Sequence, residues 1–116
     1  MTEKGLKYLS DVVQAINLID DFTKSVESFN DYIADIKTQS AVERQLGIIG
    51  EAVNKFDALH PEERLENARK IVGFRNRLIH SYDAVDSSMI WAIIRRHLNP
   101  LKEEVLRKMD NANNAN

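Results

Sequence analysis

The chain has no cysteine, only two prolines, four glycines and one tryptophan in 116 residues. Without thiols, neither a disulfide framework nor a thiolate metal site can form. No apolar run approaches the length needed to cross a bilayer, and the N-terminal stretch lacks the apolar segment behind a basic cluster that marks an export signal. A cytoplasmic protein with no membrane partner is therefore expected. The scarcity of proline, glycine and alternating β-branched residues argues against a sheet and for helices. A glycine-rich phosphate loop is also missing, which excludes ATP hydrolysis or nucleotidyl transfer by this chain itself. The three histidines are scattered, and Asp20 and Asp21 are neighbours that point different ways on a helix. No metal site and no cofactor are expected.

A chain of this length makes one domain with a single core. Its net charge of −2 conceals a division along the sequence. Residues 1–63 carry six Lys/Arg against twelve Asp/Glu, a net of −6, while residues 64–108 carry ten against five, a net of +5. Clustered positive charge raises the local concentration of anions, so the second half suits an anionic ligand.

Apolar periodicity predicts four main helices. The first runs from about Lys4 to Ser25 with Leu6, Leu9, Val13, Ile16 and Ile19 on one stripe. Ser28 to Asp35 forms a short extra helical turn carrying Phe29, Tyr32 and Ile33. Ser40-Ala41-Val42-Glu43 reads as a capping box opening a second stripe of Val42, Leu46, Ile49, Val53 and Phe56. Gly47 and Gly50 sit inside this helix, a cost that close approach of another helix would justify. His60-Pro61 ends it. A third helix is expected over about Leu65 to Ser81, with Ala68, Val72 and Leu78 facing the core. Asp86 caps a fourth, whose apolar positions are Met89, Ile90, Ile93, Ile94, Leu101 and Val105 and which Pro100 must kink or interrupt. The domain is expected to span residues 1–109, with the polar tail DNANNAN at 110–116 disordered.

Chemistry concentrates in Arg75-Asn76-Arg77-Leu78-Ile79-His80-Ser81-Tyr82. Arginine offers a planar fork of donors to phosphate oxygens, and histidine can take and return a proton near neutrality. On a helix, positions 76 and 80 share a face, so the Asn76 amide can hold the imidazole, while Arg75 and Tyr82 nearly eclipse each other. His60 and His97 lack such company and read as capping or packed histidines. Glu51 reads as a surface or interhelical carboxylate and a potential partner for a motif cation. Ser81 is ruled out as a nucleophile, because a residue adjacent on a helix cannot act as its base.

This run resembles the Arg-x4-His-x-Tyr signature of the HEPN superfamily, in particular the HepT-like toxins encoded beside a minimal nucleotidyltransferase antitoxin. YLSDVVQAINLIDDF, TQSAVERQLGIIGEAVNKF, the motif and AVDSSMIWAIIRRHLNPLKEEV follow the family's order from about Tyr8 to Val105. The intervening DALHPEERLENARKIVGF differs in lacking a Pro-Trp pair frequent in relatives. The resemblance implies an all-α, antiparallel four-helix-bundle-like HEPN domain with a short extra helix. It further implies a homodimer whose cleft unites two motifs, and a cognate MntA-like nucleotidyltransferase that silences the toxin by AMPylation of Tyr82.

With no metal cage available, the chemistry that fits these residues is RNA cleavage by the 2′-hydroxyl, which excludes DNA as substrate. His80 would do the acid–base work, Arg75 would stabilise the phosphoryl oxygens, and Asn76 would orient histidine or phosphate. Arg77, Arg95 and Arg96 are candidate contacts to RNA, tRNA included. The alternative is a non-catalytic helical dimer that only receives and restrains a nucleotidyltransferase.

Overall fold

The computed structural model describes residues 1–80 and 86–114, with the backbone alone for 75–80. The helices are α1 (Glu3–Phe22), α2 (Phe29–Ala34), α3 (Ile36–Leu59), α4 (Arg69–His80), α5 (Ser87–Ala92) and α6 (Leu98–Asn114). A 3₁₀ turn at Pro61–Glu63 follows α3, and a π-turn at Ile93–His97 joins α5 to α6 without a break. Among the described residues there is no strand, and no helix is long and apolar enough to cross a membrane. The expected all-α architecture is thus present: α1, α3, α4 and the α5–α6 arm are the four long elements, and α2 is the short extra one.

Neighbouring helices run antiparallel because short connections return the chain on itself. The start of α1 meets the residue just past α3, where Thr2 Oγ1 and His60 Nε2 lie 3.1 Å apart in a hydrogen bond. The expected second stripe is fully inside, with Val42, Leu46, Ile49, Val53 and Phe56 all buried. On α1, Leu9, Ile16 and Ile19 are buried with Val12, whereas Leu6 and Val13 are only half-buried. Ile90, Ile93, Leu98, Leu101 and Val105 complete the core from the last arm.

Four expectations change. α3 begins at Ile36 rather than at Ser40, because Asp35 caps it: its carboxylate accepts from Thr38 N at 3.0 Å and from Thr38 Oγ1 at 2.6 Å. Ser40 then falls inside the helix. Gln39 Nε2 donates to the Tyr32 and Ile33 carbonyls, both at 2.9 Å, and joins α2 directly to α3. Gly47 has no neighbour within 4 Å of where a Cβ would stand, so no close approach explains it; Gly50 is buried. α4 starts at Arg69 rather than Leu65, since side chains from α3 and α6 capture the preceding amides. Finally, α6 continues to Asn114, past the expected boundary at 109, because extending a helix already fixed by packing costs little per residue. Residues 115 and 116 lie outside the described residues.

Pro100 stands in the first turn of α6, directly after the π-turn. It cannot supply the amide proton that a carbonyl one turn earlier would receive, and the local change of hydrogen-bond register falls at that place.

Candidate active site

What fixes α4 is a set of carboxylates beneath its entrance. Asp57 on α3 accepts from Leu65 N at 2.9 Å. Glu104 on α6, only 6% exposed, accepts from Glu66 N at 2.8 Å, Asn67 N at 3.0 Å and Asn67 Nδ2 at 3.0 Å. A buried carboxylate needs such partners to offset its lost hydration. Its negative charge also lies at the helix N-terminus, where amide donors converge. Glu104 is the residue that sequence reasoning missed. The available signal was a charge between Leu101 and Val105, on an azimuth otherwise apolar.

From this anchor, α4 lays Ile71 and Phe74 into the core and packs between α3 and the π-turn. On the opposite side Arg69 and Gly73 are exposed, and a Cβ built on Gly73 would have none of the described residues packed within 4 Å. Positions 69, 73, 76 and 80 follow one another at intervals of four, three and four, the spacing of a single helix face. Since the backbone stays helical through His80, positions 76 and 80 share the azimuth of Arg69 and Gly73, roughly opposite Ile71 and Phe74. Position 75 lies roughly 40° from Ile71, nearer the core edge. The side chains of Arg75, Asn76, Arg77, Leu78, Ile79 and His80, and all of Ser81 and Tyr82, lie outside the described residues.

Arg95 and Arg96 are exposed on the π-turn that touches α4. The Arg95 guanidinium carbon lies 5.0 Å from the centroid of the Trp91 ring, a cation–π contact. Glu51 faces solvent and pairs with Lys55 at 3.1 Å, so its carboxylate serves its own helix.

His60 is packed, as expected of it. Its ring closes the space above Gly5, where a Cβ would lie 2.5 Å from Nε2. Nδ1 lies 3.6 Å from Glu62 Oε1, and His60, Glu62 and Glu63 bring ligand-type atoms within 4.8 Å of one another. They are the one such group among the described residues, but Glu62 faces solvent and the imidazole is engaged by Thr2. This is a structural clasp between α1 and α3. Elsewhere, burial pushes the Tyr32 phenol well above its usual range, with Glu43 acting in the same direction, and Glu43 itself is raised by burial.

An all-helical bundle with a polar motif on the last turns of one anchored helix defines the class of protein to compare. Residues 12–107 match the family model of the HepT-like ribonucleases, and the chain belongs to that family, within the HEPN superfamily that its motif resembles. Probable ribonuclease HepT of Thermococcus cleftensis is 42% identical over 107 residues, covering 87% of this chain and 94% of the relative. A candidate RNase of Methanocaldococcus jannaschii is 32% identical over 108 residues, covering 90% and 97%. A third relative, a gamma-glutamylcyclotransferase and candidate RNase of the same organism, is 30% identical over 105 residues, covering 89% of this chain but 46% of its own length. No solved structure matches the chain.

Proposed function

We propose that this protein is a metal-independent endoribonuclease and the toxin of a two-protein system. The observation that carries the reading is the Arg75–His80 motif on the last turns of α4, inside the span matched by the ribonuclease family. In this mechanism His80 relieves the RNA 2′-hydroxyl of its proton, and the oxygen attacks the adjacent phosphorus. The P–O5′ bond breaks, and the proton returned to the leaving 5′-oxygen leaves a 2′,3′-cyclic phosphate. Arg75 balances charge on the non-bridging oxygens, and Asn76, one turn before His80, orients the imidazole or the phosphate. Arg77 contributes charge to RNA binding.

The cleft is formed by a homodimer that places two motifs around one phosphate. Gly73 supports this, because it is exposed and a Cβ there would meet no described residue within 4 Å, which leaves room for a second protomer. Light scattering is expected to report a dimer. A fully active monomer would contradict it.

Control falls on Tyr82, as the family resemblance implies. A partner nucleotidyltransferase transfers AMP from ATP to the phenol oxygen, releasing pyrophosphate, and the added anion occupies Arg75 and excludes RNA. Mass spectrometry after co-expression with the transferase should show AMP increments that Tyr82→Phe abolishes. Modification at Tyr8 or Tyr32 would overturn this assignment.

The decisive experiment incubates purified protein with total RNA and tRNA in EDTA beside His80→Ala. Cleavage that needs added magnesium sinks the metal-independent mechanism. No cleavage by either protein, with partner binding retained, favours the alternative of a non-catalytic interaction module.

A further inference from the structure

Outside the α4 motif, the surface with the most unspent chemistry is a hollow of about 410 Å³ lined by Ser88, Trp91, Ala92, Arg95 and Arg96. Its size falls within the range of small-ligand sites. The wall is the chain's one tryptophan. Trp91 is half-buried and packed against the fully buried Tyr32, ring centroids 5.6 Å apart, so the indole is held in place. Arg95 rests over the indole and Arg96 follows it, both exposed, and neither pairs with a carboxylate among the described residues. Ala92 is small enough to leave the floor open. Ser88 donates its hydroxyl to Asp86 at 2.6 Å, which fixes the oxygen at the rim and engages the nearby acid.

The π-turn gives this group its form. With i→i+5 bonding each residue turns by roughly 80°, so residues four and five along fall on either side of the first, whereas in an α-helix the fifth would stand about 140° away. Trp91 is four residues before Arg95 and five before Arg96, so both cations are directed to the side that carries the indole. Planar guanidinium stacked on an aromatic ring, beside a second guanidinium in a concave site, fits a base face and its phosphate together.

We propose that this hollow is a binding subsite for single-stranded RNA. One phosphate lies between Arg95 and Arg96, and one base stacks on the Trp91–Arg95 pair. The subsite rests on the ribonuclease reading for its substrate, and it deepens that reading by specifying an unpaired strand. The π-turn that carries Arg95 and Arg96 also touches α4, and in this proposal the hollow holds RNA flanking the cleaved bond. An acidic protein surface would use the cations but bring no planar base to stack on the Trp91–Arg95 pair.

Because Trp91 is the sole tryptophan, its fluorescence reports this site and no other. The probe is a 2′-O-methyl oligoribonucleotide of mixed sequence, which cannot be cleaved by 2′-hydroxyl attack. It is expected to quench Trp91 saturably, while its blunt duplex and polyglutamate of matched charge do not. Arg95→Ala with Arg96→Ala should weaken binding by about tenfold at low salt and reduce the slope of log K against log salt by about 0.7, the share of one single-strand phosphate. Both positions are exposed, and circular dichroism verifies that the fold is kept. Anisotropy showing oligonucleotide binding with Trp91 silent, or equal affinity in the double variant, overturns the subsite. So does equal quenching by polyglutamate. Quenching in a protein that cleaves no RNA would leave the subsite standing and remove the ribonuclease reading, so the two fail separately.

Discussion

Where α1 meets α3, and where the entrance to α4 meets carboxylates from α3 and α6, the same bundle is held together in two different ways. At the first seam, apolar stripes from two long helices interdigitate and His60 fills the space above Gly5 with no room for a methyl group. At the second, Ile71 and Phe74 supply the apolar anchor, and polar contacts from Glu104 and Asp57 determine where the helix begins. Beyond them, one face of α4 carries an exposed glycine and a row of polar positions. The first arrangement fixes a scaffold, and the second holds a helix firmly at its entrance, with Arg69 and Gly73 exposed on its other side. The charge follows the same division, with Lys7–Asp11 and Glu51–Lys55 pairs on the acidic half, while Arg95 and Arg96 on the basic half pair with no carboxylate among the described residues.

The sharpest test of this contrast is His80→Ala, expected to lower RNA turnover by about 10²–10⁴-fold with little change in melting temperature. Arg75→Ala should reduce kcat more than it raises KM, as befits a group engaged in the transition state. A mere loss of affinity would make Arg75 a docking residue.

Next in size is Glu104→Ala. It leaves the amides of Glu66 and Asn67 without acceptors, and urea denaturation should show a loss of about 2–3 kcal/mol. Unchanged stability would mean that apolar packing alone positions α4. On the other seam, Gly5→Ala drives a methyl group into the His60 ring and should cost about 1–3 kcal/mol. Gly47→Ala and Gly73→Ala meet only open space and should each stabilise the protein by about 0.5–1 kcal/mol. If Gly73→Ala is more stable yet less active, the bare backbone there is kept for close approach of RNA or a second protomer.

The smallest effect concerns acid. Thr38 donates side-chain and backbone hydrogen bonds to Asp35, which lowers its carboxyl pKa below the usual range. A depressed folded-state pKa contributes stability above the unfolded value, and the contribution is lost as pH falls through the folded one. The difference in melting temperature between wild type and Asp35→Ala should therefore narrow on acidification below the ordinary aspartate range. A difference constant with pH would show that the cap acts without its charge.

The sequence by itself determined the helical class, the antiparallel order and the core stripe of α3, because a 3.6-residue apolar repeat has one way to be buried. It also placed Arg75 to His80 on one helix, since residue types and their spacing are local properties. It misplaced the starts of α3 and α4. Each of those boundaries is a competition between caps: Asp35 against Ser40 within one segment, and Glu104 reaching across 37 residues to Asn67. Only the tertiary structure could decide the second, because a carboxylate on an apolar stripe is unfavourable until the fold brings amide donors to it. The same holds for the hollow at Trp91. Aromatic and cation are legible in sequence as an i,i+4 pair, but the concave site needs the π-turn at Ile93–His97 and the ring of Tyr32 from a distant helix.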